Sequence, residues 1–326
     1  MTPNPHFAIP LVDDTLLIDN SSLENFTTCP RAAQYYLCQK REKNSERPAL
    51  MFGGIIHKIL EARYKHGPHI TRDAERAMLV TAEAAFANYT PAFDDFRNYG
   101  TAVNLIAEYN KTYAQESWDI LHHDNKPLIE IPFAVPLGEL EVNADLTVRE
   151  ADGRITLRHV STIKVMWQGR IDMVVQREGR IYGLDHKTTS MLGPSYFKEY
   201  ELASQFHGYT YALEYLLKRK VEGFIINALG VRKPTKTGKA IEFQRATVSY
   251  LPSAVAEWQS DTLAIVSDFI EMARRECLPK HTKWCVGKYG LCQFFDVCTL
   301  PIEQRQQMLL TGEYKPVTWS PLNNQD

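Results

Sequence analysis

Near Lys126 the hydrophobic period of this chain changes, and that change limits the folds open to it more than any other feature. Before it, apolar residues recur at helical spacing over about 49–66, 71–89 and 101–121. After it come LIEIPFAV, LEVNADLTV, RITLRHV, KVMWQGRIDMVVQ and RIYGLDHKT, rich in β-branched and aromatic residues and separated by Gly or Asp turns. A helix over about 201–219, strands over 224–231 and 240–248, and a helix over about 251–276 follow. Helices, then a meandering sheet, then helix, strand and helix imply a mixed α/β core with helical additions.

The start of the chain reads as an extended arm over 1–20. Ser21 and Glu24 have capping-box spacing, so a helix is expected from there to about Lys40. The whole divides by element type into the arm, a helical region over 21–125, a mixed-sheet core over 126–276, and a cysteine-rich segment and tail over 277–326. No run approaches eighteen apolar residues, so no membrane span is expected. The opening MTPNPHFAIPLVDD lacks a basic stretch followed by an apolar one, so it does not read as a secretory signal, and a cytoplasmic protein is expected. A formal net charge of −2 is not the basic balance of a non-specific DNA coat. Two basic stretches stand out. LLKRK at 216–220 reads as the solvated end of a helix; VRKPTKTGK at 231–239 reads as a hairpin loop whose Arg232, Lys233, Lys236 and Lys239 either grip phosphates or face water.

Four short segments carry candidate chemistry: GGIIH at 53–57, GRID at 169–172, LDHKT at 184–188 and QFHGY at 205–209. Asp185 and Lys187 are two apart at the end of a strand-like run, so both side chains leave one face. A metal-binding acid beside a fixed cation suits phosphodiester hydrolysis, in which charge builds on the phosphate and on the attacking water. A plain ion pair or a surface charge is the alternative. Asp172 follows Gly169 and Arg170 into an apolar strand, and a tight hairpin at REGR (177–180) would bring it beside Asp185. His186 points to the opposite face, which leaves its backbone carbonyl rather than its imidazole as a candidate metal ligand. His57 follows two glycines that permit close approach of its helix; it is either a partly buried helix residue or a ligand for an Mn²⁺- or Mg²⁺-type ion. Gln205 and Tyr209 share a helical face, the first suited to hold a phosphate or Lys187, the second explained by packing alone. Glu130 in LIEIPF is an exposed strand acid or a further ligand.

In that order, GGIIH, GRIDMVV, LDHKT and QFHGY resemble the RecB-type branch of the PD-(D/E)XK nuclease superfamily, over about residues 21–300. The resemblance implies a restriction-endonuclease-like core: a mixed β-sheet flanked by helices. It implies that His57, Asp172 and Asp185 bind Mg²⁺ or Mn²⁺, that Lys187 is the catalytic lysine, and that Gln205 and Tyr209 assist. It also implies an exonuclease acting on DNA ends or single-stranded DNA in recombination, repair or phage DNA processing. A DNA-end-binding subunit that does not cut, in a recombination or CRISPR-type complex, is the alternative. No GxxxxGK[ST] loop is present, so any unwinding would come from a helicase or recombination partner.

Six cysteines occur: Cys29, Cys38, Cys277, Cys285, Cys292 and Cys298. Three lie within fourteen residues near the C-terminus, which suggests a metal site rather than disulfides. AddB-type and CRISPR-associated RecB-like exonucleases carry an iron–sulfur staple made by one cysteine before the core and three after it. By resemblance Cys29, Cys285, Cys292 and Cys298 would hold a 4Fe-4S cluster. The commonest pattern places two residues between the second and third ligands where this chain has six, CVGKYGLC, so Cys277 stands as a substitute for Cys285. Zinc is the alternative ion, and Cys38 is expected to be buried without a ligand role.

Overall fold

The computed structural model of the protein describes residues 2–45, 47–89, 91–92, 95–235, 238–287, 290–318, 320 and 322. The chain forms two compact units, one of Met1–Ser45, Phe133–Gly169 and Ala256–Asp326, the other of Glu46–Pro132 and Arg170–Val255. These units cut across the partition by element type, because periodicity reports local structure while packing joins segments remote in sequence. The architecture is mixed α/β, a mixed sheet flanked by helices.

In the unit built from Glu46–Pro132 and Arg170–Val255, the sheet grows outward from a hairpin. Ile155–Arg177 ends here and turns back at Glu178 and Gly179 into Arg180–Thr189, pairing antiparallel from Arg177↔Arg180 to Met173↔Leu184. Both turn residues have positive φ, 52° and 77°, as the right-handed twist of the strands asks of a two-residue loop. Helix Ser204–Leu217 then connects Arg180–Thr189 to its parallel neighbour Phe224–Val231, and Ile241–Val248 closes that side antiparallel. Phe224–Val231 is buried at every position, which is why FIINALGV reads as an almost unbroken apolar run.

Alternate residues on these strands serve two layers. Met173, Val175, Tyr182, Leu184, Ile225 and Leu229 join a core with helices Pro48–Tyr64, Arg72–Ala87 and Tyr99–Thr112. On the other face the Phe224 ring meets Phe206 at 5.1 Å and Tyr209 at 6.0 Å, both from Ser204–Leu217. The helix expected over 101–121 stops at Thr112. Asp119–Ile120 instead pairs with Gln176 and Val175, and Ile120 is buried, so strand pairing overrides local helical preference.

In the other unit the arm is extended and paired. Ile9–Pro10 lies parallel to Ile129–Arg149, and Thr15–Ile18 runs parallel to Ile155–Arg177 from Thr15↔Lys164 to Ile18↔Trp167. The five strand-like runs of the sequence merge into fewer strands: LIEIPFAV and LEVNADLTV are one, as are RITLRHV and KVMWQGRIDMVVQ. Gly138 does not mark a turn. A Cβ there would lie 2.8 Å from Leu263 Cδ1, so the glycine makes room for the Pro252–Arg274 helix. The first helix, Asn20–Thr28, is capped by Asp19, whose carboxylate accepts from Ser22 N–H at 2.7 Å; the Ser21–Glu24 spacing is not the cap. It breaks at Cys29, because Pro30 pushes the preceding residue into extended backbone (φ −159°, ψ 107°) and starts the short helix Pro30–Ala33.

Candidate metal centre and cysteine cluster

The acidic site lies wholly in the unit of Glu46–Pro132 and Arg170–Val255. Helix Pro48–Tyr64 approaches strand Arg180–Thr189 so closely that a Cβ on Gly53 would lie 2.9 Å from Thr188 Oγ1, whereas Gly54 faces open space. One turn on from Gly53, His57 sets its Nδ1 3.3 Å from Asp172 Oδ2. The same Oδ2 accepts the backbone N–H of His186 at 2.8 Å, which ties the two strands together where their ladder ends.

Glu130 completes a triad of donors. His57, Glu130 and Asp172 each offer a ligand atom, and the three lie within 4.8 Å of one another; among the described residues no other group of His, Cys, Asp and Glu side chains does this. The backbone of Glu130 is left-handed (φ 51°), a conformation costly for a residue with a side chain and held only where the surroundings impose it. Arg170 Nη1 stands 4.0 Å from its carboxylate. Two half-buried carboxylates and an imidazole are a set that a hard or borderline divalent ion would satisfy.

Asp185 is buried, with Lys187 Nζ 2.9 Å from its Oδ2. Lys187 Nζ also donates to Gln205 Oε1 at 3.2 Å, so the second residue of helix Ser204–Leu217 aims the ammonium. Tyr209, one turn later, is buried against Phe206 and Phe224. The His186 ring lies on the other face, stacked on Tyr64 with centroids 5.8 Å apart and edge-on to His57 at 5.9 Å.

The electrostatics follow from burial and from this crowding. Burial opposes a charge on His57, but Asp172 and, behind it, Asp185 outweigh burial and raise the imidazole to about 9. Burial likewise opposes ionisation of Asp172, yet His57 and the His186 N–H hold its carboxyl well below the usual range. Asp185 is pushed up to about 6 by burial and by Asp172, against the pull of Lys187. Glu130 is pushed up to about 8, by burial first and Asp172 second. Burial works against the Lys187 charge, but Asp185 and Asp172 raise it, so it stays an ammonium. Burial brings the His186 imidazole down to about 3, leaving it neutral. The site thus presents a fixed cation and an ionised Asp172 beside two acids, Asp185 and Glu130, that hold their protons more tightly than isolated carboxylates would.

The structure brings together His57, Asp172, Asp185, Lys187, Gln205 and Tyr209, and it adds Glu130, whose role the alternation of LIEIPF left open. In the basic hairpin, Arg232 donates to Leu192 O at 2.8 Å and Ser190 O at 3.2 Å and pairs with Glu242, while Lys233 and Lys239 are exposed. Lys236 lies outside the described residues. Lys218, Arg219 and Lys220 face solvent at the end of helix Ser204–Leu217.

The cysteine cluster belongs to the other unit. Cys29 is buried at the break before Pro30, and its Sγ accepts the backbone N–H of His281 at 3.5 Å. It packs with Ala32, Tyr35, Phe294 and Val297, with Cys292 and Cys298 at the margin. The Cys298 thiol is pushed up by burial first and then by the neighbouring Cys29 and Cys292. Cys285 faces Cys292 through main-chain pairing. Val286–Gly287 pairs antiparallel with Gly290–Leu291, and Cys292 N–H donates to Cys285 O at 2.9 Å, so this pairing sets the two cysteines opposite each other. Cys277 is exposed, just past the end of helix Pro252–Arg274. Cys38 is fully buried, its thiol pushed up to about 12 by burial.

The family model of the PD-(D/E)XK nuclease superfamily matches residues 20–299. No curated protein matches the chain. Among solved structures, one from Eubacterium rectale described as a "Putative exonuclease" is 13% identical, with 91% of this chain and 93% of that one covered and a TM-score of 0.46. The structure of SSO0001 is 11% identical, covering 68% of this chain and 78% of that one at a TM-score of 0.22.

Proposed function

The chain belongs to the PD-(D/E)XK nuclease superfamily, and on that premise we propose that it is a divalent-metal-dependent deoxyribonuclease, an exonuclease hydrolysing phosphodiester bonds at DNA ends or in single-stranded DNA. The observation that carries this reading is the triad of His57, Glu130 and Asp172 beside the Asp185–Lys187 ion pair. The metal ligands would be His57, Asp172 and Asp185, with Glu130 beside them and the main-chain carbonyl of His186 as a further donor. A bound Mg²⁺ or Mn²⁺ supplies Lewis acidity toward the phosphate and a more acidic water. Lys187, held as an ammonium by Asp185 and aimed by Gln205, stabilises the negative charge that develops on the phosphoryl oxygens. Tyr209 backs Gln205 from the next turn of the helix and assists through it.

In this reading Cys29, Cys285, Cys292 and Cys298 hold a structural 4Fe-4S cluster. What supports it is the shared apolar packing of Cys29, Cys292 and Cys298, the strand pairing that aligns Cys285 with Cys292, and an N–H aimed at Cys29 sulfur. Lys233 and Lys239 are candidates for phosphate contacts along the DNA. Any helicase or recombination partner would act alongside the chain. No described helix is long and apolar enough to cross a membrane.

Digestion of single-stranded DNA labelled at the 5′ end or the 3′ end, with Mn²⁺ or with chelator, tests the reading. Metal-dependent release of mononucleotides or short oligonucleotides from one end is expected. DNA that is bound but left uncut under every metal condition overturns it and favours the end-binding alternative.

A further inference from the structure

The fully buried strand Phe224–Val231 carries one amide side chain in its apolar run, Asn227, at 0% exposure. Its register neighbour on one side is His186, between the site residues Asp185 and Lys187; on the other side it is Arg245. The three side chains form a row across three strands, and the hydrogens in it are assignable. Arg245 has only donors, and its Nε donates to Asn227 Oδ1 at 2.9 Å. That fixes the amide: Asn227 Nδ2 donates to His186 Nδ1 and to the Tyr109 hydroxyl oxygen, both at 2.7 Å. Arg245 Nη2 also donates to that oxygen, at 2.9 Å, so Tyr109 passes its own hydrogen to Tyr64 Oη at 2.8 Å. Tyr64 donates in turn to Glu116 Oε1 at 2.8 Å, and Glu116 is paired with Arg245 at 2.5 Å. The chain of bonds closes on itself.

This closed row touches two of the elements that carry the acidic site, helix Pro48–Tyr64 and strand Arg180–Thr189. Tyr64 lies on the same helix as His57, two turns further on, and stacks on the His186 ring; the His57 ring meets that ring edge-on. His186 N–H in turn holds Asp172. We propose that Asn227, backed by Arg245 and Glu116, is a positioning residue for the metal site: by donating to His186 Nδ1 it fixes the imidazole as the Nε2–H tautomer. The ring so fixed sets the spacing of His57 on its helix from Asp172 and Asp185 on their strands. The proposal rests on the nuclease reading of the site. It assigns Asn227 no contact with substrate or metal.

The test uses Asn227→Asp in the full chain. The substitution keeps the size and the acceptor for Arg245 but loses the donors to His186 and to Tyr109. In metal-free protein, ¹⁵N-histidine NMR is expected to show His186 Nδ1 without a proton in wild type and protonated in the variant. Mn²⁺ binding, by calorimetry, is expected to weaken about 10–100-fold, as for other residues that orient metal ligands. The kcat for DNA cleavage falls with it, while KM for DNA stays close to wild type. A protonated Nδ1 in wild type overturns the proposal whatever the variant does. So does a moved proton with Mn²⁺ binding within about twofold of wild type. Should Asn227→Asp fail to fold, Asn227→Ser, which also removes the amide donor, is read by the same Mn²⁺ titration. A wild-type protein that cuts no DNA defeats the nuclease reading instead, and leaves the NMR and Mn²⁺ results standing.

Discussion

The acidic centre and the cysteine cluster are both sets of ionisable side chains drawn from distant segments, yet they are held in opposite ways. The acids and cations hold one another: His57 faces Asp172, Lys187 faces Asp185, and each charge offsets the burial cost of its partner. The thiols crowd like beside like, so burial and the nearby Cys29 and Cys292 push the Cys298 thiol up. Their positions come from backbone devices, Pro30 behind Cys29 and strand pairing between Cys285 and Cys292, with an apolar cluster around them. A site of paired charges is assembled before its ion arrives. Under the proposed function, a site of thiols would gain its main stabilisation from a bridging cluster, because such a bridge would tie residue 29 to residues 285–298.

The largest effect is therefore expected from Cys29→Ser. Cutting a cross-link over so long a loop removes roughly 5 kcal/mol in the loop-entropy treatment, read as a loss of visible absorbance and a large fall in melting temperature. Cysteine substitutions that leave both unchanged would break the comparison from the thiol side. From the acid side, Asp172→Asn is expected to leave melting far less affected and to weaken Mn²⁺ binding by more than about 100-fold, beyond the range seen for supporting residues. It also removes the carboxylate that raises His57, so the imidazole pKa falls from about 9 toward its ordinary value, which NMR titration reads.

Acidity sharpens the same point. His57 near 9, Glu130 near 8 and Asp185 near 6 hold protons that a metal must displace. Mn²⁺ affinity should rise as pH goes from about 6 to 9, up to about tenfold per pH unit for each proton displaced. Calorimetry in buffers of different ionisation enthalpy checks this, and binding without proton release would contradict it. The smallest effects separate the two glycines of GGIIH. Gly54→Ala faces open space and should stabilise by about 0.5–1 kcal/mol through helix propensity. Gly53→Ala forces Thr188 to move, so the same gain should be lost and activity should fall.

Much of the site was legible because its logic is local. The Arg177–Arg180 turn and the two-residue spacing of Asp185 and Lys187 place acids and lysine without knowledge of the rest of the fold. Glu130 was not, since strand alternation assumes regular backbone and its φ of 51° re-aims the side chain. The Asn227 row depends on the register of three strands and on Glu116 from a segment read as helix, so only the lone amide in FIINALGV hinted at it. Likewise Ser21–Glu24 suggested one helix to Lys40, although Pro30 already marked the break that sets Cys29 apart.

The proposed function divides the labour on one strand: Asp185 would serve the metal and Lys187 the phosphate. Lys187→Met, measured for Mn²⁺ binding and for cleavage of end-labelled single-stranded DNA in one preparation, tests it most directly. The expected result is Mn²⁺ affinity close to wild type with cleavage reduced by about 100- to 1000-fold. Cleavage persisting at the wild-type rate would contradict the account.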